Sequence, residues 1–191
     1  KAQDGGVVVA KAMVIGLTLG GYYQLSDHIS LGAGVRYIDG QYSYRADGIY
    51  DIINEDLGVL MEYPAVVDSV HDAHGFGYMV GMHLQPLPEL NLAIQYQSNT
   101  GLKYIYDTAE DSTGLFPDGD GIRKDIPPIL AMGLSYQLTD NFQLASSWTI
   151  YFNTFSKQGM AADGTKNTEN YRTGFEAGLG LEYRAFEDFL F

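Results

Sequence analysis

The 191-residue chain contains no cysteine. That excludes a disulfide scaffold, a thiolate metal site and a cysteine nucleophile, and leaves the redox compartment open. Basic residues are scarce too: 11 Lys and Arg stand against 24 Asp and Glu, a formal net charge of −13. Phosphate backbones demand a basic footprint, so a nucleic-acid partner is excluded. Nor is there an apolar run of about 18 residues, because the longest stretch, VVVAKAMVIGLTLGGYY, is interrupted by Lys11 and by glycine. A helical membrane span is therefore not expected. No secretory leader is recognisable, as expected of a mature form or an excerpt.

What the chain has instead is glycine (23), tyrosine (15) and alternation. In GLSYQLTDNFQLASSWTIYF, Met132, Leu134, Tyr136 and Leu138 share one face while Ala131, Gly133, Ser135 and Gln137 share the other. After Thr139-Asp140-Asn141 the pattern resumes, with Phe142, Leu144, Ser146, Trp148, Ile150 and Phe152 opposed by Gln143, Ala145, Ser147, Thr149 and Tyr151. This is a β-hairpin, and it recurs. Similar pairs of runs flank Ser26-Asp27-His28 and Pro86-Leu87-Pro88-Glu89, and a fourth begins at Tyr171.

The turns QLSDHISL, QPLPELNL, QLTDNFQL and RAFEDFLF align as a degenerate internal repeat of about 56 residues per unit between Asp27 and Asp140. Long polar segments near 46–72, 107–125 and 157–170 separate the hairpins and read as loops. Short turns at one end, long loops at the other and strands of about 10 alternating residues predict an all-β fold, a transmembrane antiparallel up-and-down β-barrel. A soluble sandwich shares the alternation. Strand length, even spacing and the one-sided loops favour the barrel. Tyr23, Tyr136 and Tyr183 lie on the apolar face two residues before a turn, as an interfacial aromatic girdle would, and Trp148 with Phe152 is assigned to the opposite interface.

At IPPILAMGLSYQLTDNFQLASSWTIYFNTFSK the sequence resembles the FadL/TodX family of outer-membrane transporters for long-chain fatty acids and other hydrophobic compounds. The Ile126-Pro127-Pro128 step, the Gly133 to Tyr136 segment and the aromatic cluster from Trp148 to Phe155 carry the resemblance. LGAGVRYIDGQYSY, LNLAIQYQSNTGLKYIYD and NYRTGFEAGLGLEYR resemble other central strands of that family. The resemblance implies a 14-stranded barrel of the Gram-negative bacterial outer membrane with an N-terminal plug. It implies passive transport without cofactor or covalent chemistry, contact with outer-membrane lipid and lipopolysaccharide, and hydrophobic small molecules as ligands. Residues 1–191 have room for about seven strands and the start of another, a partial barrel domain without the plug or the kinked early strand. A general or solute-specific porin and a surface-binding or adhesion barrel are the alternatives.

A lumen that accepts such ligands needs apolar walls and a few polar groups to orient a carboxylate. Arg36, which alternates with Gly32 and Gly34, is the clearest lumenal cation, and Lys157 follows the aromatic cluster Tyr151, Phe152 and Phe155. Lys103, Arg172 and Arg184 are further cations; pairing with Glu176 or Glu182 is the structural alternative for all of them. FPDGDGIRKD places Asp118, Asp120 and Asp125 in a Gly-rich stretch that resembles a Ca²⁺ loop only loosely, lacking the EF-hand spacing and final Glu. His71-Asp72-Ala73-His74 is a metal clip without a third ligand. An enzyme is not expected: Ser146 and His83 fall on opposite faces, and the G-x-S-x-G elbow is absent. GAGVRY, GFGYMVG and GLGLEY lie within strands, not at a strand-to-helix turn, and so are not phosphate loops.

Overall fold

The computed structural model describes residues 6–53, 60–160, 171–186 and 189–190. Period-two alternation appears as eleven strand segments in one antiparallel sheet. Two long strands, β1 (Val7–Ser26) and β2 (Ile29–Ile53), lead into the longest, β3 (Leu60–Leu87). β4 (Leu90–Gln97), β5 (Lys103–Asp111), β6 (Gly121–Lys124) and β7 (Ile129–Thr139) follow. The chain ends with β8 (Phe142–Tyr151), a 3-10 turn at Asn153–Phe155, β9 (Gln158–Met160), β10 (Gly174–Phe186) and β11 (Phe189–Leu190). No helix among the described residues is long and apolar enough to cross a membrane, which says nothing of strands.

β3 pairs with both β4 and β5, β7 pairs with β4 while β6 pairs with β5, and β9 returns to β6. So β4 with β5, β6 with β7, and β8 with β9 are three adjacent walls, each broken once on its way along the sheet. Counted as walls, the described strands amount to seven and the start of an eighth, as the alternation predicts. Among the described residues the sheet does not close on itself.

Register aligns the apolar residues of neighbouring strands. Leu19 faces Val35, which faces Tyr78; Met82 faces Ile94, which faces Met132; Met132 faces Trp148. One apolar face therefore runs unbroken from β1 to β10. It is uncovered, with Leu19 77% and Leu179 84% exposed. A sandwich would bury this face against a second sheet. Here the face that carries packed residues is the opposite one, called the inner face below, which holds Ile38, Ala73, Leu102 and Tyr104 in a buried cluster. An exposed apolar surface of this breadth suits lipid and not water.

Three of the four repeated turns show the same device. The backbone N–H groups of Gln85, Gln137 and Arg184 donate to the carbonyls of His28, Glu89 and Asn141, each the last residue of the neighbouring hairpin's turn, at 2.8, 2.8 and 2.9 Å. Register irregularities lie beside these contacts, at Leu84/Leu87, Gln137/Thr139 and Arg184/Phe186. The degenerate sequence repeat is thus a repeat of backbone geometry.

One expectation changes. The polar segment 46–72 is not a loop where it is described: β2 runs to Ile53 and β3 starts at Leu60. Its alternation places Val67, Ser69, His71 and Ala73 inward and buried, with Asp72 and His74 exposed on the other face, so strand pairing continues past the apolar band. The segment 107–125 likewise contains the end of β5 and all of β6, and 157–170 contains β9, while 161–170 lie outside the described residues.

Candidate functional site

The three breaks lie side by side: 98–102 between β4 and β5, 125–128 between β6 and β7, and 152–157 between β8 and β9. Pro127 and Pro128 account for the second, because neither can donate to a ladder and each restricts the residue before it. The first break turns onto the inner face of β3. A side chain at Gly75 would collide with the Gly101 carbonyl, and one at Gly77 with Thr100 Oγ1, so glycine at both positions admits the crossing segment. Thr100 is fully buried. It exchanges both backbone hydrogen bonds with Ile126 across the second break (3.0 and 2.9 Å).

This inward shelf is held from two sides. From β2, Arg36 reaches across to donate from Nη1 to Gln97 Oε1 (3.0 Å) and from Nη2 to Thr100 Oγ1 (3.2 Å). Arg36 Nε and Asn99 Oδ1 are buried with no protein partner among the described residues. From the other side, the buried Asp125 carboxylate accepts from Leu102 N (3.0 Å), Arg123 Nε (3.1 Å), Arg123 Nη2 (2.9 Å) and Lys157 N (3.0 Å). Its backbone carbonyl accepts from Gln158 Nε2. One side chain therefore links all three broken walls.

Beyond the shelf, toward the long-loop end, the inner face is aromatic. Tyr104 fits over Gly40, where any side chain would strike its phenol, and packs edge-on against Tyr42 with ring centroids 4.8 Å apart. Lys124 Nζ lies 4.3 Å from the Tyr42 ring centroid, a cation–π contact. Next to it, His71 faces Tyr106 at 4.4 Å, and Phe116 approaches His71, Tyr44 and Tyr106 at 5.2, 5.3 and 5.6 Å. Phe116 comes from the β5–β6 loop, which the Asp111 carboxylate folds by accepting from the amides of Thr113, Gly114 and Phe116 (2.9, 3.1 and 2.7 Å) and from Thr113 Oγ1 (2.6 Å).

The residues singled out from sequence are dispersed around this shelf. Arg36 is on the inner face and joined to it; Lys157 is exposed and is attached through its backbone to Asp125. Tyr151 donates to Glu176 Oε2 (3.0 Å), Phe152 and Phe155 form an edge-on pair at 6.1 Å, and Phe155 is 74% exposed. Arg184 pairs with Glu182 at 3.0 Å, the structural alternative for that cation. Tyr23, Tyr136 and Tyr183 are on the exposed apolar face near the short turns. Trp148 pairs with Met132 and Ala177 on the apolar face, in an outward groove of about 330 Å³ with Leu92 and Ile94.

The loosely Ca²⁺-like aspartates do not converge. Asp125 is committed to Arg123 and the strand breaks, Asp118 Oδ1 accepts from Thr108 N (3.1 Å), and Asp120 Oδ1 accepts from Gly121 N (2.8 Å). No three His, Asp or Glu side chains among the described residues form a metal-holding group. In the His71 to His74 stretch, alternation separates His71, which is inward and bonded to Ser69 Oγ (3.0 Å), from the exposed His74. Sequence reasoning missed the Asp125 hub and the Phe116 cluster. Both join residues distant along the chain, and only the Pro127-Pro128 step signalled a break.

No family model and no curated protein matches the sequence. Solved structures do match. A Pseudomonas aeruginosa FadL homologue superposes with a TM-score of 0.61 at 19% identity, covering 93% of this chain and 48% of that one. The Pseudomonas putida toluene transporter TodX gives 0.62 at 14%, covering 95% and 54%. The Ralstonia pickettii toluene transporter TbuX gives 0.59 at 17%, covering 93% and 53%. The chain thus spans about half the length of these proteins, and over nearly all of its own length it has the fold of the FadL/TodX-type β-barrels.

Proposed function

We propose that the protein forms part of a Gram-negative outer-membrane β-barrel that passively transports long-chain fatty acids or related hydrophobic compounds. The observation that carries this reading is the pairing of an uncovered apolar outer face with an inner shelf built from three aligned strand breaks. The first suits contact with outer-membrane lipid and, at the long-loop side, lipopolysaccharide. The second narrows the lumen with mixed apolar and polar groups, the surface that a hydrophobic ligand with one polar end requires. Capture at the long-loop side is followed by passage across the shelf and release past a plug or sideways through the wall. No covalent step is needed, and residues 1–191 serve as one portion of a single barrel domain.

Arg36 and Lys157 are the proposed carboxylate contacts, with Tyr151, Phe152 and Phe155 contributing apolar surface. Support comes from Arg36 Nε, a buried donor without a protein acceptor among the described residues. Equilibrium binding of labelled oleate to the complete protein, with toluene as competitor, tests the reading. Saturable binding weakened about tenfold by Arg36→Ala is expected, equivalent to about 1.4 kcal/mol. If Arg36→Ala and Lys157→Ala both leave oleate affinity unchanged, the carboxylate assignment fails. If neither oleate nor toluene binds, the transport reading fails. Large steady single-channel currents would then identify a porin, and loss of function on loop deletion with an intact barrel an adhesin.

A further inference from the structure

The outward groove beside Trp148 lies between two rows of apolar side chains. Register sets Met82, Ile94, Met132 and Trp148 side by side on β3, β4, β7 and β8. One step nearer the short turns it sets Leu84, Leu92 and Leu134 side by side. Between the rows, Ala93 and Gly133 carry their side-chain positions on the inner face, so the floor of the groove is bare backbone. The rows enclose about 330 Å³. Three inter-strand spacings give the groove a length of about 14 Å. One acyl chain spans half of a hydrocarbon core about 30 Å thick, which is close to the same distance.

The lining states what chemistry fits. No charged side chain borders the groove. The Ser146 hydroxyl, which ends the second row, already donates to the Gly178 carbonyl at 3.1 Å. The indole N–H of Trp148 is the one side-chain N–H or O–H of the lining, and it has no acceptor among the described residues. Met82 and Met132, unbranched and polarizable, can follow the contour of a flexible chain. A long apolar chain with an acceptor oxygen at one end matches all of this. The groove opens on the uncovered apolar face and is continuous with it, so the chain belongs to the surrounding membrane.

We infer that the groove is a discrete site for one acyl chain of an outer-membrane lipid, with an ester oxygen of that lipid accepting from the Trp148 indole N–H. The inference rests on the outer-membrane reading and deepens it by fixing a place where a particular lipid is held, while its neighbours exchange freely along the wall. Rows set across the strands run obliquely in a barrel whose strands tilt by about 35–45°. The bound chain therefore lies aslant in the bilayer.

The test uses the complete protein in detergent micelles, titrated with phosphatidylethanolamine whose acyl chains carry bromine, and reads tryptophan fluorescence; Trp148→Phe identifies the Trp148 signal. Quenching is expected to saturate at a single lipid per protein and to be reversed by unbrominated phosphatidylethanolamine. Leu92→Phe, which fills the groove, is expected to weaken the binding about tenfold, the worth of roughly two buried methylenes. Leu179→Phe, on the same exposed face outside the groove, is expected to change nothing. Quenching that rises with bromolipid without a plateau, or that a folded Leu92→Phe leaves unaltered, overturns the discrete site and leaves the lipid-facing wall standing. Reversal by oleate but not by unbrominated phosphatidylethanolamine overturns the lipid assignment in favour of a free acid. Absence of quenching at every bromolipid fraction overturns the site and the lipid-facing wall together.

Discussion

Burial of the His71 ring, reinforced by Lys124 and opposed by Asp72, holds its pKa below the ordinary 6.5. The ring is packed by Tyr106 and Phe116, with Tyr42 opposite it on β2. The neutral form is thus the one the fold prefers. Above pH 6.5 the ring is neutral in both folded and unfolded chains; as pH falls through the lower folded value, the unfolded chain binds the proton more readily and stability is lost. Protection of the amides around Tyr106 and Phe116, relative to their intrinsic exchange rates, is therefore expected to fall as pH drops below 6.5, and His71→Gln to remove that dependence. Asp111 provides the contrast. Partial burial would raise its pKa, but the hydrogen bonds from Thr113, Phe116 and Gly114 outweigh it and hold the carboxyl below 3.8, so its turn stays charged across the same window. Protection that is flat with pH in the wild type would show that the ring tolerates its proton. At this scale the sequence reveals which face a residue takes, as for Arg36, His83 and Ser146, since alternation is local. It does not reveal partners such as Ser69 with Thr108, which depend on strand pairing.

At the scale of elements, the question is what keeps three interrupted strands in line. Asp125 accepts hydrogen bonds from Leu102, Arg123 and Lys157 and has a side chain only 2% exposed. Asp125→Ala would strip the acceptor from all of them, and a loss of about 3 kcal/mol is expected from unsatisfied buried donors. A urea or guanidinium midpoint of the refolded barrel measures it; a wild-type midpoint would mean that the breaks are held by backbone pairing such as Thr100 with Ile126. The hairpins themselves were legible, because their alternating runs and turn residues are contiguous. The breaks were only partly so. Proline marks 125–128, whereas Ser98 to Leu102 continues an ordinary polar and apolar mixture, and its inward turn depends on Gly75 and Gly77 some distance back along the chain.

For the whole molecule, alternation fits both a soluble sandwich and a membrane wall, and what separates them is whether the apolar face is covered. Trp148, the single tryptophan, reports on this directly from that face. In vesicles its fluorescence is expected to be quenched by lipids brominated on their acyl chains and to be insensitive to aqueous iodide; the reverse pattern would contradict a lipid-facing surface. The same scale gives meaning to the carbonyls of His28, Glu89 and Asn141, which receive the N–H groups of Gln85, Gln137 and Arg184. In a barrel, the stagger between hairpins and the tilt of the strands are linked quantities. Each of these turns presents one main-chain acceptor to its neighbour at a recurring offset, so the stagger between hairpins is written into the backbone like the teeth of a gauge, independent of which side chains line the wall.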